Sequence, residues 1–238
     1  MQNTVEPLSN IRPKIVVIGS CNTDMVVKAN RLPLPGETIV GGTFLMNPGG
    51  KGANQAIAAA RLGADVTFVS KIGYDLFGLQ ALEIYRSERI NTEFIFTDPK
   101  NPSGVALISV DSSGENSIIV APGASRSLSV ADIDHAETKI KEADIILMQL
   151  EVPIETIEHA TVIAKKYEKR VVLNPAPAYF LKDEFLRDVY AILPNQIEAE
   201  MLSGVKVTDV ESAHRAARVI GKKGIENVVI TLGKHGAY

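Results

Sequence analysis

Short apolar runs rich in valine and isoleucine alternate along the chain with segments of helical periodicity. Near-continuous apolar runs of this length are typical of strands that are buried on both faces of a sheet. They predict strands at residues 14–19, 66–70, 143–150, 170–173, 189–193 and 227–231.

Helix signals lie between these runs. Asp75 and Ser129 are typical N-cap residues, Asp132 completes a capping box after Ser129, and Pro153 suits a first helical turn. The predicted helices cover residues 51–62, 75–89, 129–142 and 209–223, with a further helix that begins at Pro153. The alternation predicts an α/β fold, a doubly wound and mostly parallel sheet flanked by helices.

One part of the chain breaks this alternation. Residues 104–120 contain two β-rich runs joined by a turn signal, and residues 37–44 form another β-like piece. A hairpin does not belong in a wound parallel sheet, so a small separate sheet is expected, acting as a lid or an association surface. The chain is thus predicted to be one α/β domain over residues 1–238, with lid strands around 37–44 and 104–120.

Composition narrows the classes of function. Of 238 residues, 45% are apolar, which is ample for a large core. Lys and Arg number 25 against 28 Asp and Glu, so the chain lacks the basic excess of nucleic-acid-binding proteins. No apolar run approaches the ~20 residues that span a bilayer, and polar residues 1–12 lack a signal-peptide core. With Cys21 as the only cysteine, a cytoplasmic protein that binds neither nucleic acid nor membrane is predicted.

Polar residues beyond the carboxyl ends of the strands are the first candidates for ligand binding, because ligands of open α/β sheets lie there. Asn22 and Asp24 follow the first strand, and their spacing places both side chains on one face of an extended chain. An amide beside a carboxylate suits a pair of vicinal hydroxyls, which need donors and acceptors. An Asx turn that caps the strand explains the same residues equally well.

Three glycines surround Lys51 in the stretch NPGGKGANQA. Gly49, Gly50 and Gly52 allow close backbone approach and leave the N–H groups of the following helix open to a ligand. Neither a Walker A loop nor a G-x-G-x-x-G motif fits, which argues against a nicotinamide-type site. A tight packing turn would need the glycines but neither Lys51 nor Asn54, so ligand binding is favoured.

Two later strand ends contain carboxylates. Glu151 follows a buried strand, where a carboxylate is costly unless it is paired or used, although it could also cap the next helix. Asn195 and Glu198 have the spacing of an N-cap and its capping-box partner, and that structural role is the preferred interpretation of the pair alone.

The stretch TLGKHG begins at Thr231 and forms a glycine turn around Gly233, Lys234 and Gly236. Such turns cradle phosphate oxygens through backbone N–H groups, although the pattern alone is weakly specific. The four histidines share no metal-ligand spacing and no Gly-x-Ser-x-Gly elbow is present, which disfavours a metalloenzyme or a nucleophilic hydrolase.

Several short motifs occur in order along the chain. They are GSCNTD from Gly19, PGET from Pro35, GGKGANQA from Gly49, GA from Gly123, MQLE from Met148, NPAPA from Asn174, PNQIE from Pro194 and TLG from Thr231. Together they closely resemble the ribokinase-type family of sugar and nucleoside kinases, from about residue 14 to the end. The GGKGANQ stretch is the most specific part of this resemblance.

The resemblance implies an ATP-dependent kinase that phosphorylates the 5-hydroxyl of D-ribose and uses Mg²⁺ and a monovalent cation, K⁺. By matching position, the sugar would bind to Asn22, Asp24, Gly50, Lys51, Gly52, Asn54 and Glu151. The nucleotide would contact Asn195, Thr231, Gly233, Lys234 and Gly236, and Glu198 would lie near its phosphates and Mg²⁺. The family's small sheet covers the sugar and joins a homodimer, in agreement with the lid expected above.

The end of the chain departs from the family pattern. A second signature of the Gly-Ala-Gly-Asp type supplies the anion hole and the catalytic base, and by the resemblance it would lie beyond Tyr238 with the monovalent-cation site. We therefore expect a C-terminally truncated chain with no catalytic residue of its own, which binds without efficient turnover. Two alternatives stay open: a kinase for deoxyribose or another furanose, since one hydroxyl contact can set that choice, and a non-catalytic sugar- or nucleotide-binding remnant.

Overall fold

Two separate sheets organise the protein in the computed structural model, which describes residues 12–238. The strands are β1 (Lys14–Ile18), β2 (Asn22–Lys28), β3 (Thr43–Gly49), β4 (Asp65–Gly73), β5 (Ile95–Asp98), β6 (Gly104–Val110), β7 (Asn116–Ala121), β8 (Ile145–Met148), β9 (Arg170–Leu173), β10 (Ala191–Ile192) and β11 (Asn227–Val228). The helices are α1 (Lys51–Arg61), α2 (Leu76–Ser87), α3 (Val130–His135), α4 (Glu137–Glu142), α5 (Ile154–Lys166), α6 (Asp183–Leu186), α7 (Gln196–Ser203) and α8 (Val210–Gly221), and short 3₁₀ turns form at Gly123–Ser127 and Gly233–His235.

The larger sheet has seven parallel strands in the order β11-β10-β9-β8-β1-β4-β5. Residues of α1 and α2 pack on one face, around Phe68 and Tyr85. Residues of α3 to α8 pack on the other face, around Ile146, Met148 and Ile157. The doubly wound α/β sheet expected from the alternating apolar runs is therefore confirmed, because strands buried on both faces need apolar residues at successive positions.

The smaller sheet has the order β3-β2-β6-β7, with β2 parallel to β6 and antiparallel pairing elsewhere. The predicted hairpin forms between β6 and β7, and the Asp111 carboxylate accepts hydrogen bonds from the N–H groups of Ser113 and Glu115 in its turn. The prediction of a separate small sheet is therefore confirmed.

The first lid strand lies later than expected. Residues 37–44 were predicted to be extended, but β3 covers Thr43–Gly49. Gly41 and Gly42 have φ angles of +118° and +106°, which interrupt an extended chain before β3 begins. Sequence patterns also missed β2, because its polar first half lacks the continuous apolar run used to find strands.

Smaller differences concern element ends. The helix expected over residues 129–142 is divided at Ala136 into α3 and α4, although its Ser129–Asp132 capping box forms. Pro153 is the N-cap of α5 instead of a first-turn residue. The run at 227–231 forms a strand only over Asn227–Val228, with Thr231 joined by isolated bridges. β5 and α6 lie in stretches without a clear period and were not predicted.

Within residues 12–238, no helix is both long enough and apolar enough to cross a membrane. Of the polar residues 1–12, only Arg12 lies within the described part of the chain.

Deleting residues 112–116, the tip of the hairpin, should leave the core folded. The tip is exposed, and β7 contributes no side chain to either apolar core cluster. Changes confined to the surface usually alter stability little, so we expect the Tm to change by no more than about 2 °C. Calorimetric melting of the variant beside the parent chain tests this expectation. A large cooperative loss of stability would show that the hairpin belongs to the core.

Candidate functional site

The sugar-site candidates come together where the two sheets meet. β8 is the neighbour of β1 in the larger sheet, so Glu151 after β8 approaches the residues that follow β1. Asn22 and Asp24 lie in β2 on one face of the smaller sheet, and Lys51 is the first residue of α1. The predicted side-by-side placement of Asn22 and Asp24 is present, within a strand instead of an Asx turn.

Glu151 is the centre of a hydrogen-bond network at the start of α1. Its Oε2 accepts hydrogen bonds from the backbone N–H of Lys51 at 2.8 Å and from the Ser20 hydroxyl at 2.5 Å. Its Oε1 pairs with Lys51 Nζ at 2.5 Å. The N-cap of α1 is Gly50, which has no side chain, so Glu151 supplies the anion at this helix N-terminus.

Ser20 is a site residue that the sequence prediction missed. Besides donating to Glu151, it accepts the Ala53 N–H on its carbonyl oxygen at 3.0 Å. A Cβ at Gly52 would lie 2.7 Å from Ser20 N, so α1 passes directly over this residue and needs glycine there. Serine at a strand end has many ordinary roles, and only the approach of Glu151 and α1 from distant parts of the chain identifies this one.

The two carboxylates of the sugar site have opposite pKa shifts. Burial raises the pKa of Asp24, the neighbouring Glu151 raises it further, and Lys51 opposes the change only in part. Burial also raises the pKa of Glu151, but hydrogen bonds from Lys51 and Ser20 outweigh it, so that pKa lies below the usual value. Glu151 is therefore a satisfied anion, whereas the Asp24 carboxylate is held in a less favourable environment.

Asp24 lies flat against backbone. A Cβ built on Gly49 would be 2.0 Å from Asp24 Oδ1 and 2.4 Å from Oδ2, so only a hydrogen fits between them. The Asp24 carboxylate has no hydrogen-bond partner among the described residues. Its acceptor oxygens are thus available to a ligand donor. Asn54 on α1 is exposed near the same edge, and Gly50 has a φ of +89° that most residues avoid.

The nucleotide-site candidates lie at the ends of β10 and β11. Asn195 and Glu198 form the capping box of α7: the Asn195 side chain accepts the Glu198 N–H, and Glu198 Oε2 accepts the Asn195 N–H at 2.8 Å. The structural interpretation of this pair is confirmed. Burial raises the pKa of Glu198, while the Asn195 N–H and the charge of Lys51 lower it in part.

The glycine turn after β11 is exposed, and part of its backbone is hydrogen-bonded within the turn. Gly233 and Gly236 have φ angles of +58° and +85°, and Thr231 is bridged to Asn195. The N–H groups of Leu232, His235 and Gly236 donate hydrogen bonds within the turn. Among the described residues, the N–H groups of Gly233 and Lys234, the Thr231 hydroxyl and the exposed Lys234 side chain make no hydrogen bond.

The sugar-site candidates and the nucleotide-site candidates, here called the sugar half and the nucleotide half, lie along one edge of the larger sheet. Three strand spacings separate β1 from β10, or roughly 14 Å at ~4.8 Å per strand. Asn174 follows β9 between them, and its Oδ1 is buried without a hydrogen-bond partner. The charge of Lys51, in the sugar half, also acts on Glu198 in the nucleotide half, where it offsets part of the rise in pKa that burial causes.

Metal ligands and a reactive thiol are the remaining groups that could carry chemistry. Among residues 12–238, His, Cys, Asp and Glu form no group of three that could hold a metal ion. Burial raises the pKa of Cys21 to about 11, and its Sγ lies 2.9 Å from the hydroxyl of Tyr85 in the core. Cys21 is therefore a packed side chain, as predicted.

An open parallel sheet with polar residues at its carboxyl edge is an arrangement that binds small ligands. The model of the family described as "pfkB family carbohydrate kinase" matches residues 12–238, and the chain belongs to this family. The class expected from the motifs is confirmed.

Individual relatives are similar over nearly the whole chain. The ribokinase of Haemophilus influenzae is 46% identical over 96% of this chain and 74% of its own length. The deoxyribokinase of Salmonella typhi is 39% identical, over 94% and 73% of the two chains. A solved structure of Arabidopsis thaliana ribokinase complexed with ribose and ATP superposes with a TM-score of 0.85 at 30% identity, covering 95% of this chain and 74% of that chain.

The opposite pKa shifts predict opposite effects on stability. Because the folded-state pKa of Asp24 is raised, its ionised form opposes folding at pH 7, and Asp24→Asn should match or exceed the parent in free energy of unfolding. The lowered pKa of Glu151 means that its stabilisation is present at pH 7 and lost as pH falls through that pKa. Glu151→Gln should cost roughly 1–3 kcal/mol at pH 7.

Urea titrations of both variants and the parent at pH 7 and pH 4 measure these effects. The deficit of Glu151→Gln and any gain of Asp24→Asn should both shrink in acid. Equal destabilisation by the two variants at pH 7 would contradict the assignment.

Proposed function

We propose that this protein phosphorylates D-ribose at O5 with ATP. The observation that carries the proposal is the meeting of Asn22, Asp24, Lys51 and Glu151 where the smaller sheet joins one edge of the larger sheet. An open carboxylate, an amide and an ammonium group together supply the acceptors and donors that a polyhydroxyl ligand needs. The family membership and the ribokinase relatives support the same reaction.

Each residue of the sugar half has a distinct part in the proposal. Asp24 accepts hydrogen bonds from ribose hydroxyls, and the amides of Asn22 and Asn54 bind neighbouring hydroxyls. Lys51 Nζ is held by Glu151, and the Lys51 side chain is 41% exposed, so it can also donate to the sugar. Gly50 and Gly52 keep the backbone close to the ligand, since a side chain at either position would meet Ser20.

The nucleotide half is proposed to bind ATP through Asn195, Thr231, Gly233, Lys234 and Gly236. Mg²⁺ neutralises phosphate charge in such reactions. Both oxygens of Glu198 already bond to Asn195, so Glu198 fits Mg²⁺ only indirectly, through water. The requirement for K⁺ rests on the resemblance alone, and no step is assigned to that ion.

Titration calorimetry with D-ribose and with a non-hydrolysable ATP analogue tests the two binding steps that this function requires. We expect the chain to bind both ligands. Asp24→Asn should weaken ribose about ten- to a hundred-fold, because a lost charged acceptor costs ~1.5–3 kcal/mol, and should leave the ATP analogue unaffected. An unchanged ribose affinity in this variant would show that Asp24 is not part of the site. If the parent chain does not bind ribose, the proposal is refuted.

A kinase for 2-deoxyribose is the alternative, favoured by the deoxyribokinase among the relatives. The two sugars differ by one hydroxyl, and a site built to bind that hydroxyl discriminates strongly against its absence. Tighter binding of 2-deoxyribose than of ribose in the same titration would favour the alternative.

The smaller sheet is proposed to be both a lid over the sugar and the contact of a homodimer. Strand register places Asp24, Ala106 and Val120 on the face toward the sugar site. The opposite face, here called the outer face, carries apolar side chains in the same register. These are Met25, Val27, Phe44, Met46, Leu107 and Ile119. Ile119 is 69% exposed and Phe44 59%, which is typical of an association surface.

Ile119→Glu should convert the dimer to a monomer, because a charge buried in an apolar interface is costly. Ile118→Glu is the matched control: it changes the neighbouring residue, which is also exposed but points to the other face. Size-exclusion chromatography with light scattering measures both masses. A monomeric parent, or equal masses for the two variants, would contradict a dimer built on the outer face.

A cytoplasmic location is part of the same proposal. It is supported by the proposed use of ATP and by the unpaired, buried thiol of Cys21, since free thiols are typical of a reducing compartment.

A further inference from the structure

We infer that Gly104, the first residue of β6, is a positioning residue of the sugar site, and that it is glycine because the amide of Asn22 fills the space of its missing side chain. This inference rests on the proposed function, since it gives Asn22 its place beside the sugar. It concerns a residue outside the GGKGANQ stretch and in a different strand.

Asn22 and Gly104 are direct neighbours in the parallel pairing of β2 and β6. A Cβ built on Gly104 would lie 2.1 Å from Asn22 Oδ1 and 3.0 Å from Asn22 Cγ, far inside van der Waals contact. Asn22 is 5% exposed, and its Oδ1 is buried without a hydrogen-bond partner. The amide is therefore held by packing against Gly104, with at most a weak Cα–H···O contact.

Gly104 is needed for space and not for backbone conformation. It is absent from the residues with positive φ, so alanine could adopt its backbone angles without strain. Gly50 differs in this respect, because its φ is +89°.

The backbone around Gly104 has little freedom to move away from Asn22. Ser103 N donates to one oxygen of Asp75 at 2.7 Å, and the Ser103 hydroxyl donates to the other oxygen at 2.7 Å. The same hydroxyl accepts the Gly73 N–H at 3.0 Å, and Pro122 O lies 2.8 Å from the built Cβ on another side. A methyl group at position 104 therefore conflicts most with the Asn22 side chain, which has a rotatable bond to yield, and to a smaller extent with the backbone oxygen of Pro122.

The consequence is specific to the sugar half of the site. A displaced Asn22 amide would lose its alignment with Asp24 on the same face of β2, and it would enter the space beneath the smaller sheet. Ribose affinity should fall, whereas the nucleotide residues at β10 and β11 lie several strands away and should be unaffected.

The test is a double-mutant cycle on the 238-residue chain with Gly104→Ala, Asn22→Ala and both together. Unfolding in urea and titration with D-ribose and an ATP analogue are measured for each. Gly104→Ala should lower stability and weaken ribose at least about tenfold, without changing affinity for the ATP analogue. In the Asn22→Ala background, most of both effects of Gly104→Ala should disappear.

Gly221→Ala is the matched control, since Gly221 has an ordinary φ and no atom within 4 Å of a built Cβ. It should leave ribose affinity unchanged and should not lower stability, because alanine is the better helix former. Additive effects of Gly104→Ala and Asn22→Ala on unfolding would overturn the inference, because the methyl would then conflict with something other than Asn22. A parent chain that binds no ribose would refute the proposed function instead, and the coupling measured by unfolding would still decide whether Gly104 makes room for Asn22.

Discussion

The Glu151 carboxylate at the N-terminus of α1 is the interaction on which the site depends. It joins three parts of the chain that are distant in sequence: the segment after β8, Ser20 in the segment after β1, and the first turn of α1. A carboxylate buried to this extent would be destabilising without the hydrogen bonds of Ser20 and Lys51. Because those bonds exist only when all three segments are in place, the fold and the sugar site form together.

The two halves of the site differ in how far their polar groups are already satisfied. In the nucleotide half, Asn195 and Glu198 bond to each other, and part of the glycine turn bonds within itself. In the sugar half, Asp24 and the buried amide oxygen of Asn22 have no hydrogen-bond partners among the described residues. Unsatisfied polar groups cost stability, so a ligand that donates hydrogen bonds to Asp24 or Asn22 would relieve part of that cost.

Close packing of polar side chains on glycines recurs through this region. Asp24 lies on Gly49, and Asn22 lies on Gly104. In the same way Gln149 covers Gly19, where a Cβ would also collide with its amide. These three glycines have no positive φ, so what selects glycine is the approach of a neighbouring side chain and not a turn. Such a requirement cannot be seen in the local sequence, because the neighbour comes from another element.

The apolar runs and the capping residues determined every strand of the parallel sheet except β5, the helices α1, α2, α5 and α8, and the hairpin of the smaller sheet, because burial on both faces leaves a mark at every position of a strand. The motifs identified Asn22, Asp24, Lys51 and Glu151 one by one. Only the tertiary structure decided that Glu151 pairs with Lys51 and Ser20, that Asn22 and Asp24 lie in a strand, and that β3 begins after Gly42. These features depend on contacts between distant segments, which sequence periodicity does not record.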